Sequence, residues 1–200
     1  MSFLHINLVT FLETIGYLGL LGIIFAESGL LVGFFLPGDT LLFTAGLLCA
    51  THFFSLPIVI ILGILGALLG DSFGYYFGKI TGARLFKRED SWFFNKKNLT
   101  KSQDFYKEHG AKTILLARFI PIVRTFAPIL AGTSQMHYKT FLKWNVLGGI
   151  AWVTLMTLLG FGLGNSVPNI DHYILPIILV IFILSFVPII WNVLKEKNSK

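Results

Sequence analysis

Leu56–Gly78 has the sequence LPIVIILGILGALLGDSFGYYFG, in which the only charged residue is Asp71. A helix that crosses the hydrocarbon core of a bilayer needs about 20 mainly apolar residues, so this stretch predicts a transmembrane helix. Three more stretches meet the same requirement: Ile15–Leu36, Phe141–Gly164 and Ile174–Leu194. We therefore expect an all-α integral membrane protein that forms a single membrane domain over residues 1–200.

The composition argues against several other classes of protein. Hydrophobic residues make up 54% of the 200 residues and charged residues only 13%, whereas soluble domains have about 25% charged residues. The single cysteine, Cys49, cannot form an internal disulfide, and the five histidines lack the spacing of metal ligands. We expect no metal, no cofactor and no nucleic acid partner, because in a membrane chain the net charge of +6 reports topology first.

Most of the basic residues lie between Lys79 and Lys112, where nine of them stand against four acidic residues. Cytoplasmic segments of membrane proteins carry an excess of Lys and Arg, so this loop and the basic C-terminal tail are predicted to be cytoplasmic. The loop also mixes aromatic residues with lysines, which is typical of amphipathic helices lying in the headgroup layer.

Two apolar segments, at about residues 31–50 and 113–135, are too short or too interrupted to span the bilayer as single helices. An even number of crossings must separate the cytoplasmic loop from the cytoplasmic tail, and the two C-terminal spans already supply two. The second segment is therefore predicted to enter and leave on the cytoplasmic side. The same reasoning places the N-terminus inside and the first segment on the opposite face, which gives two opposed re-entrant hairpins.

The two segments share a pattern. The first contains Phe34–Asp39, FFLPGD, and the second contains Arg118–Arg124, RFIPIVR, and each is followed by an Ala-Gly pair. A proline inside a helix removes a hydrogen bond, which is tolerated in lipid only where the backbone faces protein or a wet cavity. We assign the breaks to Pro37, Gly38 and Pro121. Inverted repeats of broken helices around a midplane site are typical of transporters, and we interpret the segments as such a repeat.

Five ionisable residues lie among apolar neighbours. A charge at the bilayer centre costs roughly 2.5–3.5 kcal/mol on the insertion scale, so such residues indicate ion pairs, relays or pathways. They could simply neutralise each other and hold the hairpins together, but we favour a functional site in which the acidic residues lie beside the arginines. Asp71, on the Leu56–Gly78 helix, could equally well be a relay group or an ion-pair or hydrogen-bond partner of Lys79 or of a backbone amide. The five residues are Glu27, Asp39, Asp71, Arg118 and Arg124.

A stripe of glycines runs along one face of the Leu56–Gly78 helix and beyond. Its members are each four residues apart: Gly66, Gly70, Gly74, Gly78 and Gly82. Small residues at this spacing let another backbone approach closely, which is a main source of helix association in lipid. The stripe is predicted to be a packing face and not a substrate site.

Several of these motifs occur in a fixed order between Glu27 and Phe161. They are Pro37–Asp39 (PGD), Gly70–Tyr75 (GDSFGY), Tyr106–Gly110 (YKEHG), Arg118–Arg124 (RFIPIVR) and Ala131–Met136 (AGTSQM). Their order resembles the DedA family of bacterial inner-membrane proteins. The resemblance implies two re-entrant hairpins and a relation to the VTT-domain lipid scramblases. It further implies transport of undecaprenyl phosphate or phospholipid, coupled to a proton or sodium gradient.

The same resemblance assigns the family's essential acidic pair to Glu27 and Asp39, and its essential arginines to Arg118 and Arg124. Arginine presents a planar fork of donors that suits bidentate phosphate binding, so the two arginines are predicted to bind the lipid phosphate. Without lipid, the carboxylates would pair with the arginines. An arriving phosphate would displace them and favour their protonation, with Asp71 as a further coupling group.

The function predicted from these observations is a lipid transporter or flippase that recycles undecaprenyl phosphate for cell-envelope synthesis. The alternatives are a flippase or scramblase for phospholipids such as phosphatidylethanolamine, and a proton or cation exchanger without a lipid substrate. A structural role in envelope assembly and a homo-oligomeric state stay open. We expect no enzyme, because the chain has neither a Gly-x-Ser-x-Gly elbow nor a His-Glu-x-x-His motif.

Overall fold

The structure, a computed structural model, describes residues 2–30, 38–85 and 110–166. Within these ranges the chain forms α-helices and no strand, as the sequence predicts. The helices are α1 (Ser2–Gly29), α2 (Gly38–Ala50), α3 (Leu56–Leu85), α4 (Thr113–Ala117), α5 (Pro121–Thr133) and α6 (Tyr138–Ser166). Two of them are long and apolar enough to cross a membrane, α3 over Leu56–Thr81 and α6 over its whole length.

The helix boundaries correct parts of the prediction. Helix α3 continues past Gly78 to Leu85, so the start of the predicted cytoplasmic loop is helical. No proline occurs between these residues, and a helix does not have to end where its apolar stretch ends. Helix α1 begins at Ser2, well before the predicted Ile15, and ends at Gly29. The predicted span at 174–194, most of the 79–112 loop and Pro37 lie outside the described residues.

The described residues belong to two compact units. The first takes its residues from Met1–Leu20, Pro37–Leu62 and Thr154–Lys200, and the second from Leu21–Leu36 and Gly63–Val153. Four of the five predicted intramembrane charges belong to the second unit, and the remaining one belongs to the first.

In the first unit, α2 packs closely against the C-terminal part of α6. A side chain at Gly46 would overlap the backbone carbonyl of Thr157, and one at Gly160 would overlap the backbone of α2. The loop that follows α2 is tied to α1, because the backbone N–H of Ser55 donates a hydrogen bond of 2.8 Å to Tyr17 Oη. Glycines therefore set the helix contacts of this unit.

In the second unit, the glycine stripe of α3 is a packing face, as predicted. A Cβ atom at Gly70 would lie 2.5 Å from the carbonyl oxygen of Phe25 on α1, and Gly66 meets α1 one turn earlier. Further along α3, a side chain at Gly78 would overlap the carbonyl of Ile129 on α5. Close backbone contact on this face therefore brings α1 and α5 to α3, the helix that carries Asp71.

Aromatic packing holds the start of α6 in the same unit. The rings of Tyr75 on α3 and Phe141 on α6 are stacked, with centroids 4.8 Å apart. The Tyr75 hydroxyl donates a hydrogen bond to the carbonyl oxygen of Met136, just before α6. Ile114 of α4 and Ala131 of α5 are buried in the same cluster. This core joins α3, α4, α5 and α6, and Asp71, Arg118 and Arg124 lie on or directly after the first three of these helices.

Candidate functional site

The first ion pair of the second unit joins α1 to α5. Arg124 Nη2 donates to Glu27 Oε1, and both side chains are largely buried. Glu27 lies two residues before the end of α1, where that helix approaches the glycine stripe of α3. The prediction that Glu27 lies beside one of the arginines is therefore correct.

The second ion pair involves Asp71, whose partner the sequence did not identify. Arg118 Nη2 donates to Asp71 Oδ2 and, at 2.7 Å, to Asn145 Oδ1. All three side chains are buried, with exposed fractions of 6%, 4% and 1% respectively. Asp71 thus pairs with Arg118, and the suggested pairing with Lys79 is wrong because Lys79, eight residues further along α3, is exposed.

Trp152 on α6 supports the second arginine. The Arg124 guanidinium carbon lies 4.8 Å from the centroid of the Trp152 ring, which is within the range of a cation–π contact. Trp152 is itself buried. The guanidinium therefore has a carboxylate on α1 and an aromatic face on α6, and both restrict its orientation.

The break between α4 and α5 places the two arginines. Ile120, the residue before α5, is extended with φ −114° and ψ 107°, and Pro121 lies in the first turn of α5. Proline at this position loses no helical hydrogen bond, because the first N–H groups of a helix are unpaired anyway. Pro121 therefore lies at the break between α4 and α5 and begins a helix, while the proline in the interior of α5 is Pro128.

A small cavity lies between the two ion pairs. Its volume is about 10 Å³, which is near the minimum for one water molecule. The two arginines and two carboxylates sum to zero charge, so the described site is neutral. Because a cavity of this size cannot admit a phosphate group, we call this arrangement the closed state. The residues that line the cavity are Ser28, Asp71, Ile114, Arg118, Arg124, Ala127, Pro128, Asn145 and Trp152.

Asp39 and Gly38 belong to the other unit. Gly38 is buried and begins α2, and Asp39 is half-buried in its first turn. A carboxylate in this position is stabilised by the partial positive charge of the helix N-terminus. The structure thus assigns Asp39 a place on α2, whereas Glu27, Asp71, Arg118 and Arg124 come together in the second unit.

Two contributors to the site were not singled out from the sequence. Asn145 and Trp152 both lie on α6, within a stretch read only as a membrane span. An asparagine in such a stretch is a weaker signal than a charge, but it is costly to bury without partners. That polarity could have drawn attention to Asn145. Trp152 gave no signal, because aromatic residues are common throughout the chain.

Glycines on α6 make room for the Arg118 side chain. A Cβ atom at Gly148 would lie 3.0 Å from Arg118 Cδ and 3.2 Å from Leu115 Cα. We expect Gly148→Ala to shift Arg118 and to lower the free energy of unfolding by about 1–3 kcal/mol, the usual range for overpacking. The measurement is thermal unfolding of the purified protein in detergent.

Gly162→Ala is the matched control on the same helix. A Cβ atom at Gly162 meets no atom of the described residues within 4 Å. The control is expected to leave stability unchanged or to raise it slightly, because alanine is the better helix former. Equal effects at the two glycines would contradict the packing role assigned to Gly148.

The fold and the site define a helical membrane protein with buried, charge-balanced arginine–carboxylate pairs. Residues 36–162 match the VTT domain family. Protein DedA of Escherichia coli is 39% identical over 179 residues, which cover 88% of this chain and 81% of that protein.

Two further relatives are named as membrane proteins. An uncharacterized membrane protein of Mycobacterium tuberculosis is 46% identical over 176 residues, covering 85% of this chain and 75% of its own. Inner membrane protein YqjA of Escherichia coli is 31% identical over 176 residues, covering 83% and 79%. No solved structure matched the chain significantly. The chain belongs to the DedA family of membrane proteins, as its motifs indicate.

Proposed function

We propose that this protein transports a phosphate-bearing lipid across the bacterial inner membrane, with undecaprenyl phosphate as the principal substrate. The observation that supports this most is that Arg118 and Arg124, each paired with a carboxylate, line one small cavity. Arginine is suited to bind phosphate through two parallel hydrogen bonds. Carboxylates neutralise the two arginines in the closed state. A phosphate can enter the site by taking the place of these carboxylates.

The proposed mechanism is an exchange of partners. In the closed state, Arg124 is bound to Glu27 and Arg118 to Asp71. A lipid phosphate replaces the carboxylates at the guanidinium groups, and a carboxylate left buried without its partner favours the protonated form. Protons, or sodium ions in their place, thereby couple to lipid movement. The cavity has to widen for this step, because one phosphate group is much larger than one water.

The proposed topology follows from the sequence. Residues 31–50 and 113–135 form two opposed re-entrant hairpins, and the 79–112 loop and the C-terminus are cytoplasmic. The interruption between α4 and α5 supports the second hairpin, since it separates two short helices by an extended residue. The long polyprenyl tail stays in the lipid, and only the headgroup needs a polar route.

Carboxylate substitutions test this proposal in liposomes. Glu27→Gln and Asp71→Asn are expected to abolish the acceleration of undecaprenyl phosphate transport by a pH gradient, because neither replacement can take up a proton. Glu27→Asp, which keeps a carboxyl group, should retain part of the response. The assay follows a fluorescent polyprenyl phosphate in purified proteoliposomes. Equal transport by the amide variants and the unmodified protein, with and without the gradient, would reject proton coupling.

The same assay also tests the two alternative functions, a phospholipid scramblase and an exchanger without a lipid substrate. A phospholipid such as phosphatidylethanolamine carries the same phosphate chemistry, so the arginine pair alone also supports a phospholipid scramblase. An exchanger without a lipid substrate would move protons or cations in liposomes that contain neither lipid at the test concentration. Transport of polyprenyl phosphate in preference to phosphatidylethanolamine supports the proposal made here.

A further inference from the structure

Asn145 has a donor that nothing in the described structure uses. Its Oδ1 accepts a hydrogen bond of 2.7 Å from Arg118 Nη2, which fixes the orientation of the amide. Its Nδ2 is buried and has no hydrogen-bond partner among the described residues. The Nε of Arg118 is in the same situation. Two buried donors on neighbouring side chains are therefore unsatisfied at one place.

The two side chains that carry these donors line the small cavity beside Arg124. Arg118 and Asn145 both line it, and both are more than nine-tenths buried. A buried polar group without a hydrogen bond is unfavourable, so an unpaired donor in a binding site indicates a missing acceptor. In the closed state, the cavity has room for one water, whose oxygen is such an acceptor. A metal ion does not suit these two groups, because Arg118 Nε and Asn145 Nδ2 are N–H donors and cannot act as metal ligands.

If Asn145 served only to orient Arg118, its side chain would not need to be an amide. An aspartate at position 145 would accept from Arg118 at least as strongly, because hydrogen bonds between ionised groups are the stronger ones. An asparagine differs in having an NH₂ group, which can donate to a third group while Oδ1 holds Arg118. The side chain is therefore built to contact an acceptor beyond Arg118.

We propose that Asn145 is a third headgroup ligand, whose Nδ2 binds an oxygen of the lipid phosphate beside Arg118 Nε, and that it favours phosphomonoesters. This rests on the proposed function. Arg118, Arg124 and Asn145 together supply three donor side chains at one cavity. A phosphomonoester has three terminal oxygens to receive them, whereas a phosphodiester has two. Polyprenyl phosphates are monoesters and membrane phospholipids are mostly diesters.

The test compares two short-chain lipids that differ by one methyl ester. Dioctanoyl phosphatidic acid is a monoester, and dioctanoyl phosphatidylmethanol is the corresponding diester. Binding to the full-length protein in detergent is measured by titration calorimetry. The unmodified protein is expected to bind the monoester more tightly. Asn145→Asp should reduce that affinity about tenfold or more, the loss of one hydrogen bond to a charged group.

A charge-matched variant separates the lost donor from the added charge. Asp71→Asn/Asn145→Asp exchanges the carboxylate and the amide, so the net charge of the site is that of the unmodified protein. We expect this double variant to lose the same affinity, and with it the preference for the monoester. Asp71→Asn alone should bind the monoester at least as tightly as the unmodified protein, because a competing carboxylate is gone.

The outcomes distinguish this inference from the proposed function. If the double variant binds phosphatidic acid as tightly as the unmodified protein and keeps the preference, Asn145 is not a ligand, while the proposed function stands. If the unmodified protein binds neither short-chain lipid nor undecaprenyl phosphate, the proposed function fails and the role of Asn145 fails with it. If both variants that carry Asn145→Asp lose monoester affinity and the preference for the monoester, while Asp71→Asn keeps both, the assignment of Asn145 as a ligand is supported.

Discussion

Arg118→Met is expected to lower the free energy of unfolding by about 3–5 kcal/mol, the range for removing one partner of a buried ion pair. The substitution leaves Asp71 buried without its charged partner and removes the donor to Asn145 Oδ1. A methionine has nearly the length of the arginine stem, so little of the loss comes from a cavity. Chemical or thermal unfolding in detergent measures it.

The double variant Asp71→Asn/Arg118→Met shows whether the pair is the cause. Removing both charges leaves no uncompensated charge, so we expect it to recover most of the stability lost in Arg118→Met. Transport should be absent in both variants, because each lacks a phosphate ligand. A double variant as unstable as the sum of the two single variants would mean that the residues are not energetically coupled.

Arg124→Gln is expected to reduce undecaprenyl phosphate transport by at least about a hundredfold, since two charge-assisted hydrogen bonds to the phosphate are lost. Arg124→Lys should recover only part of this, because an ammonium group lacks the planar fork of the guanidinium. The lysine also gives up much of the contact with the Trp152 ring. Proteoliposome transport is the measurement.

Two controls accompany the Arg124 variants. Lys143→Gln removes one positive charge from an exposed position on α6, so its transport should match that of the unmodified protein. Glu27→Gln/Arg124→Gln removes both charges of the pair and keeps the fold free of an unpaired carboxylate. If this folded double variant still transports the lipid, Arg124 is not a phosphate ligand.

The sequence was sufficient for the helical class and for placing Glu27 beside an arginine, but not for choosing between the two arginines. Length and apolar content predicted the helices that begin near Leu56 and Phe141, because the bilayer sets the length that a span needs. The glycine spacing predicted the packing face of α3, since a four-residue period keeps small residues on one side of a helix. The opposed hairpins and the cost of unpaired charge in an apolar environment predicted Glu27 beside an arginine, and the structure shows that this arginine is Arg124.

The remaining features depend on tertiary contacts that no local pattern encodes. Asp71 fitted several partners equally well, and only the packing of α4 against α3 and α6 selects Arg118. Asn145 is an uncharged residue in an apolar helix, so its importance is visible only from the donor it leaves unused. Pro121 is compatible with a kink inside a helix and with the start of one, and the extended Ile120 decides between them.

The central claim is that the lipid phosphate replaces the carboxylates at the two arginines. A structure of the protein bound to undecaprenyl phosphate in lipid nanodiscs tests it most directly. The account predicts phosphate oxygens about 2.7–2.9 Å from guanidinium nitrogens of both Arg118 and Arg124, with Glu27 and Asp71 no longer bonded to them. A headgroup bound elsewhere, with both arginine–carboxylate pairs intact, would contradict it.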